Sequence, residues 1–247
     1  MIEIFGLVKD FGKVRAVNHL TLRIPQGEFF GFLGPNGAGK TTTIKILAGL
    51  LRPTAGMALV GGFDIASDIV RAKQISSYIP DKPFIYEKLT GREFLRFITD
   101  LYRISKKDAI RREGELIELF SMGEWADELI EGYSHGMRQK MVMSAALITD
   151  PKTIIVDEPM VGLDPKSIKL VKDIYTNLAR RGVTIFMSTH TLVHAEEMCD
   201  RIGIINRGRL IAVGSIDELM EQARAKEREL EEIFFTLTEE EVAEARQ

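Results

Sequence analysis

The stretch "GEFFGFLGPNGAGKTTTIKILAGL", residues 27–50, reads as a strand, a tight loop and a helix in that order. Glu28 to Leu33 has the length and apolar character of a buried strand, and Lys40 to Leu50 has helical spacing. Between them stands Gly34-x-x-x-x-Gly39-Lys40-Thr41, a phosphate-binding loop in the strand–loop–helix setting it requires. Gly34, Gly37 and Gly39 let the backbone wrap a phosphate with its amides pointing inward, and Pro35, Asn36 and Ala38 complete the turn. Lys40 supplies a point charge for the outer phosphates. The Thr41 hydroxyl can ligate magnesium, and Thr42 follows it in the first helical turn. Glycine-rich turns also serve purely structural ends, but here every motif position and both flanking elements match. The stretch implies a bound nucleoside triphosphate.

A second element can serve the metal and the water. "KTIIVDEP", residues 152–159, is a short apolar strand that ends in two carboxylates. Asp157 can hold magnesium through water, and Glu158 can take a proton from an attacking water. A solvated strand end would explain two acids equally well if they stood alone. Beside the loop they read as catalytic equipment.

"YSHGMRQK", residues 133–140, raises a different question. Ser134 is placed to cap a helix whose apolar face runs through Met137, Met141, Ala145 and Ile148. Capping needs only the serine, so the bare backbone at Gly136 calls for something that approaches closely.

Composition limits the other classes. The chain has 247 residues, 45% apolar and 28% charged, the balance of an ordinary globular protein. No run of about eighteen apolar residues exists, so no bilayer-spanning segment is expected, and the N-terminus lacks a signal-peptide layout. One cysteine, Cys199, excludes an internal disulfide and suits a reducing compartment. Net charge is −3, with −7 concentrated from Asp217 to Gln247 and about +4 elsewhere, too little to argue for nucleic acid.

Together "GPNGAGKTT", "YSHGMRQK", "IIVDEP", "GLDP" and "STH" resemble the nucleotide-binding subunit of ABC transporters, in order and spacing, over roughly residues 2 to 219. The resemblance implies ATP and Mg2+ as ligands and an ATPase that dimerises and powers a separate membrane permease. It also implies a cytoplasmic position, peripheral on the inner face of the membrane. In that family the signature segment caps the ATP of a second subunit, which assigns Ser134 and Gly136 to the partner's γ-phosphate. His135 and Met137 depart from the usual LSGGQ, a variant reminiscent of drug, antibiotic and lipid-linked exporters. Phe11 falls where an aromatic ring stacks on adenine, with a core role as its alternative. Gly162, Leu163 and Asp164 match the D-loop, although Asp164-Pro165 would also cap a helix. His190 matches the switch histidine that meets the γ-phosphate and Glu158. Zinc binding by His190 and His194 would need a glutamate where Thr191 stands. Asp81 replaces the family's glutamine, which touches the metal and links the core to the helical subdomain. It is expected to reach the metal directly or through water and to act mainly in coupling to the permease, with a turn residue remote from the nucleotide as the alternative.

The expected architecture is α/β: a P-loop NTPase core with a mostly parallel sheet, an N-terminal antiparallel β subdomain and an inserted α-helical subdomain. Residues 1–83 and 152–216 form the core, the first part carrying the antiparallel strands. Residues 84–151 form the helical signature subdomain, opened by a Thr90–Glu93 capping box, in which Trp125 packs. Residues 217–247 form a charged helix and acidic tail, whose "IFFTL" must be covered by this core or by a partner. Two rivals compete with the transporter reading. A soluble ABC-type ATPase acting on DNA or ribosomes would bring tandem cassettes, zinc modules or coiled-coil insertions, none of which is present. A simple kinase would leave the signature and His190 unexplained.

Overall fold

A computed structural model describes residues 1–82, 84–160, 163–223 and 230–244, with side chains up to residue 237 in the last helix. The first half runs β1 (Ile2–Phe11), β2 (Val14–Ile24), β3 (Phe29–Leu33), α1 (Lys40–Leu47), β4 (Ala55–Val60), β5 (Phe63–Asp64), α2 (Ile69–Ile75) and β6 (Ser76–Ile79). Only helices and turns follow: α3 (Gly91–Leu101), α4 (Lys106–Leu119) and α5 (His135–Leu147). Then come β7 (Thr153–Asp157), α6 (Pro165–Arg180), β8 (Thr184–Thr189), α7 (Leu192–Met198), β9 (Arg201–Asn206), β10 (Arg209–Gly214), α8 (Ile216–Ala223) and α9 (Leu230–Glu244).

Two sheets result. An antiparallel one has the order β2-β1-β4-β5. The other has the order β10-β9-β3-β8-β7-β6 and is parallel except for β10 on its edge. Its central strands β3, β7 and β8 are buried along their whole length, because helices and the first sheet cover both faces. The period of two sorts their side chains. Phe29, Ile154, Val156, Ile185 and Met187 join the core shared with α3 to α6, while Phe30, Phe32, Ile155 and Phe186 face β1, β2 and α1. The parallel order puts the ends of β3 and β7 side by side, with β8 between them, so their following loops open at one edge.

Helix α1 stops at Leu47 rather than Leu50. Gly49 takes a left-handed φ of +65°, and the amides of Leu50 and Leu51 turn back to the Lys45 carbonyl. The helical insert begins on the expected capping box, Thr90 with Glu93. Trp125 packs edge-on against Tyr133, with ring centroids 4.9 Å apart. The "IFFTL" segment lies on α9, and the chain's own core covers it only in part: Ile233 is buried with Leu33, Ala195, Ile204 and Leu219, Phe234 and Leu237 pack beside them, and Phe235 stays 53% exposed.

One buried carboxylate ties the insert together. Glu113 of α4 receives Arg92 at 2.9 Å and Arg96 at 3.1 Å, both from α3. Both arginines keep access to water, which softens the loss of their partner. Glu113→Ala is expected to lower stability by about 1–2 kcal/mol in urea unfolding, and Glu113→Gln by less, because the amide oxygen still accepts.

Candidate nucleotide site

The loop after β3 is seated by contact with two other parts of the chain. A Cβ on Gly34 would lie 2.2 Å from the Ile205 carbonyl oxygen of β9. One on Gly39 would lie 2.4 Å from the Ala16 oxygen of β2, and Gly39 also has a φ of +110°. The Gly208 amide donates to the Ala38 carbonyl at 2.8 Å, and the Asn18 amide to the Gly208 carbonyl at 2.8 Å. The loop therefore sits where strands of both sheets meet. Helix α1 begins at Gly39 with no side-chain cap and no acidic residue in its first turn, so its leading amides face outward for an anion.

Beside the loop is a cavity of about 410 Å³ lined by Ala16, Asn36, Gly37, Gly39, Lys40, Thr41, Thr42, Asp81, Asp157, Glu158 and His190. The fold thus brings the loop, both strand-end carboxylates, the histidine and Asp81 to one place. Asp81 is no remote turn residue. The Lys40 ammonium is folded back on the Gly34 carbonyl at 2.6 Å and the Pro35 carbonyl at 3.2 Å. Burial draws its pKa below the ordinary lysine value, and Glu158 and Asp157 oppose that shift. Three carboxylates against one ammonium leave the cavity short of positive charge. Burial, with Asp157 and Asp81 adding, pushes the nearby Tyr78 phenol up to about 12. A triphosphate would enter only with a cation. Among the described residues no three His, Cys, Asp or Glu side chains gather closely enough to hold a metal alone. Thr41, Asp157 and Asp81 fit an ion that takes its other ligands from phosphate and water, the usual arrangement for magnesium.

Asp157 is buried at the end of β7 and accepts a hydrogen bond from the Ser188 hydroxyl of β8. Glu158 follows in a left-handed conformation, φ +50°, with its amide donating to the Ser188 carbonyl at 3.0 Å. This unusual backbone turns the carboxylate out of the sheet toward the cavity. There Oε1 lies 2.7 Å from His190 Nδ1, and Oε2 accepts from the Thr189 hydroxyl at 3.2 Å. A carboxylate held on both oxygens beside a phosphate loop has the placement of a general base.

Other expected residues stand apart from this cavity. Phe11 ends β1 at the hairpin that leads to Ala16; it is 48% exposed and belongs to no core cluster, which removes the core alternative. The Lys9 ammonium sits 5.1 Å from its ring centroid. Ser134 caps α5 by accepting the Met137 amide at 3.3 Å. At Gly136 an added Cβ would meet nothing within 4 Å, so packing within the chain does not require the glycine. The Asp164 carboxylate is occupied by its own helix: it accepts from the amides of Lys166 and Ser167 at 3.0 Å and from the Ser167 hydroxyl at 2.6 Å. The Ser167 hydroxyl, chiefly, holds its pKa below the usual carboxylate range. Gly162 lies outside the described residues.

Sequence reasoning missed Ala16, Ser188 and Thr189. Ala16 gives no signal, since it acts through its backbone. The two hydroxyls stand in "STH" but touch carboxylates some thirty positions earlier, a pairing set by the β7–β8 register.

Residues 17–161 match the family described as ABC transporter. The chain is 41% identical over 218 residues to the daunorubicin/doxorubicin resistance ATP-binding protein DrrA of Streptomyces peucetius, covering 88% of this chain and 66% of that one. It is 36% identical over 219 residues to the linearmycin resistance ATP-binding protein LnrL of Bacillus subtilis, covering 89% and 70%. It thus spans about two thirds of the length of these curated relatives. A solved structure of an ATP-binding subunit of an ABC transporter superposes with a TM-score of 0.92 at 32% identity, covering 96% of this chain and 99% of the other.

The glycines separate by cause. Gly34→Ala should lower the melting temperature and nucleotide binding together, because backbone must move. Gly136→Ala should melt at the same temperature or higher, since alanine favours a helix by up to about 1 kcal/mol over glycine. Thermal unfolding of both variants checks this.

Proposed function

Because this chain belongs to the ABC transporter ATP-binding family, we propose that it hydrolyses ATP as half of a dimer and thereby drives a separate membrane permease. The observation that carries the reading is the single cavity holding the loop, Asp157, Glu158 and His190, with Glu158 clasped by the histidine at 2.7 Å. The amides of Gly37, Gly39 and the start of α1 bind the phosphates, with Lys40 swinging from the Gly34 carbonyl onto the outer ones. Magnesium, when bound, supplies charge screening; Thr41 and Asp157 are the groups to hold it, and Asp81 through water. Glu158 orients a water and takes its proton as the oxygen attacks the γ-phosphorus. The bond to the β-phosphate oxygen breaks, and ADP and inorganic phosphate leave. His190 keeps Glu158 aimed and faces the same phosphate. Phe11, half exposed at the mouth of the hairpin, offers its free face to the adenine ring.

The second subunit enters through Ser134 and Gly136. They lie on the outside of the helical insert, away from the chain's own cavity, and Gly136 has space in front of it. A serine hydroxyl and the α5 amides there suit the γ-phosphate held by another copy or a homologous subunit. ATP contacting both subunits favours the closed pair, and hydrolysis releases it. Asp164 serves as the cap of α6 near that interface rather than as a direct phosphate ligand.

No helix among the described residues is long and apolar enough to cross a membrane. A cleft of about 190 Å³ between β6 and the insert, lined by Pro80, Phe84, Phe94, Ile98 and Tyr102, supports docking of a permease segment beside Asp81. Phe84 is 85% exposed there, its ring meeting Tyr86 edge-on with centroids 6.0 Å apart. The chain then works on the inner face of the cell membrane. Relatives named for antibiotic resistance favour export.

Glu158→Gln is expected to slow ATP turnover about 10²–10⁴-fold while ATP still binds, and to accumulate an ATP-bound dimer on a sizing column. Adding Ser134→Arg should abolish that dimer without weakening ATP binding to the monomer. A double variant that still dimerises would remove Ser134 from the interface. Asp81 separates binding from coupling. Asp81→Asn should leave ATP affinity of the isolated chain within about three-fold, since contact through water is weakly sensitive to this exchange. Substrate-stimulated hydrolysis in the complete assembly should fall. A large loss of magnesium-dependent binding with stimulation intact would make Asp81 a direct ligand instead.

A further inference from the structure

We propose that Thr189 is a positioning residue for the hydrolytic step, fixing the orientation of the Glu158 carboxylate through its hydroxyl; the inference rests on the ATPase reading above. Thr189 ends β8, is 3% exposed, and stands in register with Leu33, the last residue before the phosphate loop. Its Oγ1 accepts the Thr191 backbone amide at 3.0 Å. An amide carries one fixed proton, so the threonine oxygen is the acceptor in that contact. The single hydroxyl proton is left for Glu158 Oε2, at 3.2 Å. The direction of this hydrogen bond is therefore set by the backbone, not by a freely rotating hydroxyl.

The carboxylate needs such a tether. Its backbone is left-handed, and its other oxygen is held by His190, whose side chain is 59% exposed. Little of the chain packs around a side chain so exposed, whereas the sheet and the start of α7 hold Thr189 on both sides. With Oε2 anchored, rotation of the carboxylate about its last bond is stopped when the histidine leaves. One lone pair stays aimed into the cavity, where an attacking water would be oriented. The hydroxyl touches neither the phosphate loop nor Lys40, so it should matter for turnover and not for nucleotide affinity.

The test is steady-state ATP hydrolysis by the full chain with magnesium, for Thr189→Val, Thr189→Ala and Thr189→Ser. Valine and alanine should lower kcat about 5- to 20-fold, the effect of losing one positioning hydrogen bond, with KM for ATP within about two-fold. Serine should restore at least about half of the wild-type rate. Single-turnover rates in a Glu158→Gln background should then change less than about two-fold on adding Thr189→Ala, because the group it positions is gone. A full loss in that background overturns the proposal. A loss that vanishes with His190→Ala but persists with Glu158→Gln also overturns it, assigning Thr189 to the histidine's turn. Equal losses in kcat and melting temperature for valine, alanine and serine alike would reduce it to packing. Should Glu158→Gln itself leave turnover unchanged, the ATPase reading of Glu158 fails first and this inference with it.

Discussion

Two carbonyl oxygens, those of Ile205 and Ala16, stand where side chains on Gly34 and Gly39 would otherwise be. That steric fact governs the site. The loop is pressed against β9 from one side and β2 from the other, so its amides have one direction left to face. The hydrogen bonds from Gly208 to Ala38 and from Asn18 to Gly208 close the seat. A loop built this way has its donors aimed before any ligand arrives, so little order would be lost on binding phosphate.

The chemistry is layered on that seat by strand order. Because β3, β8 and β7 are parallel neighbours, three successive strand ends deliver the loop, the "STH" segment and Asp157-Glu158 to one edge. The strand hydroxyls of β8 reach sideways to the acids of β7: Ser188 to Asp157, Thr189 to Glu158. Such lateral bonds put two adjacent carboxylates in different settings. Asp157 is buried and hydrogen-bonded at its root, suited to hold an ion. Glu158 is turned outward by its backbone, suited to move a proton.

The helical insert answers a different need. It carries Ser134 and Gly136 outside the lining of the chain's own cavity, on a helix whose buried residues Met141 and Met143 lock it into the common core. Arg138 fastens the entry to that helix, with its guanidinium on the Tyr133 and Glu131 carbonyls and on Glu87 at 2.6 Å. The entry to α5 is thus fixed by hydrogen bonds to its own chain. In the proposed dimer, a half-site of this kind would make association depend on nucleotide.

The sequence by itself determined the elements and the chemistry within each of them. Burial of both faces writes β3, β7 and β8 as continuous apolar runs. The Thr90–Glu93 box and the Asp164-Pro165 cap mark helix starts, and the spacing of Gly34, Gly39, Lys40 and Thr41 names the ligand class. These are local constraints, met within one turn or one strand, and so they are legible along the chain. Only the tertiary structure decided what depends on register and approach. It put Asp81 into the cavity wall and took Phe11 out of the core. It seated Ile233 of "IFFTL" in the chain's own core while leaving Phe235 exposed, and it left Gly136 without any intrachain reason to be glycine. It also joined Thr189 to Glu158 across 31 positions, a contact fixed by the pairing of β7 with β8. Hydrogen-bond partners across a parallel sheet follow from strand order, and no residue spacing encodes that order.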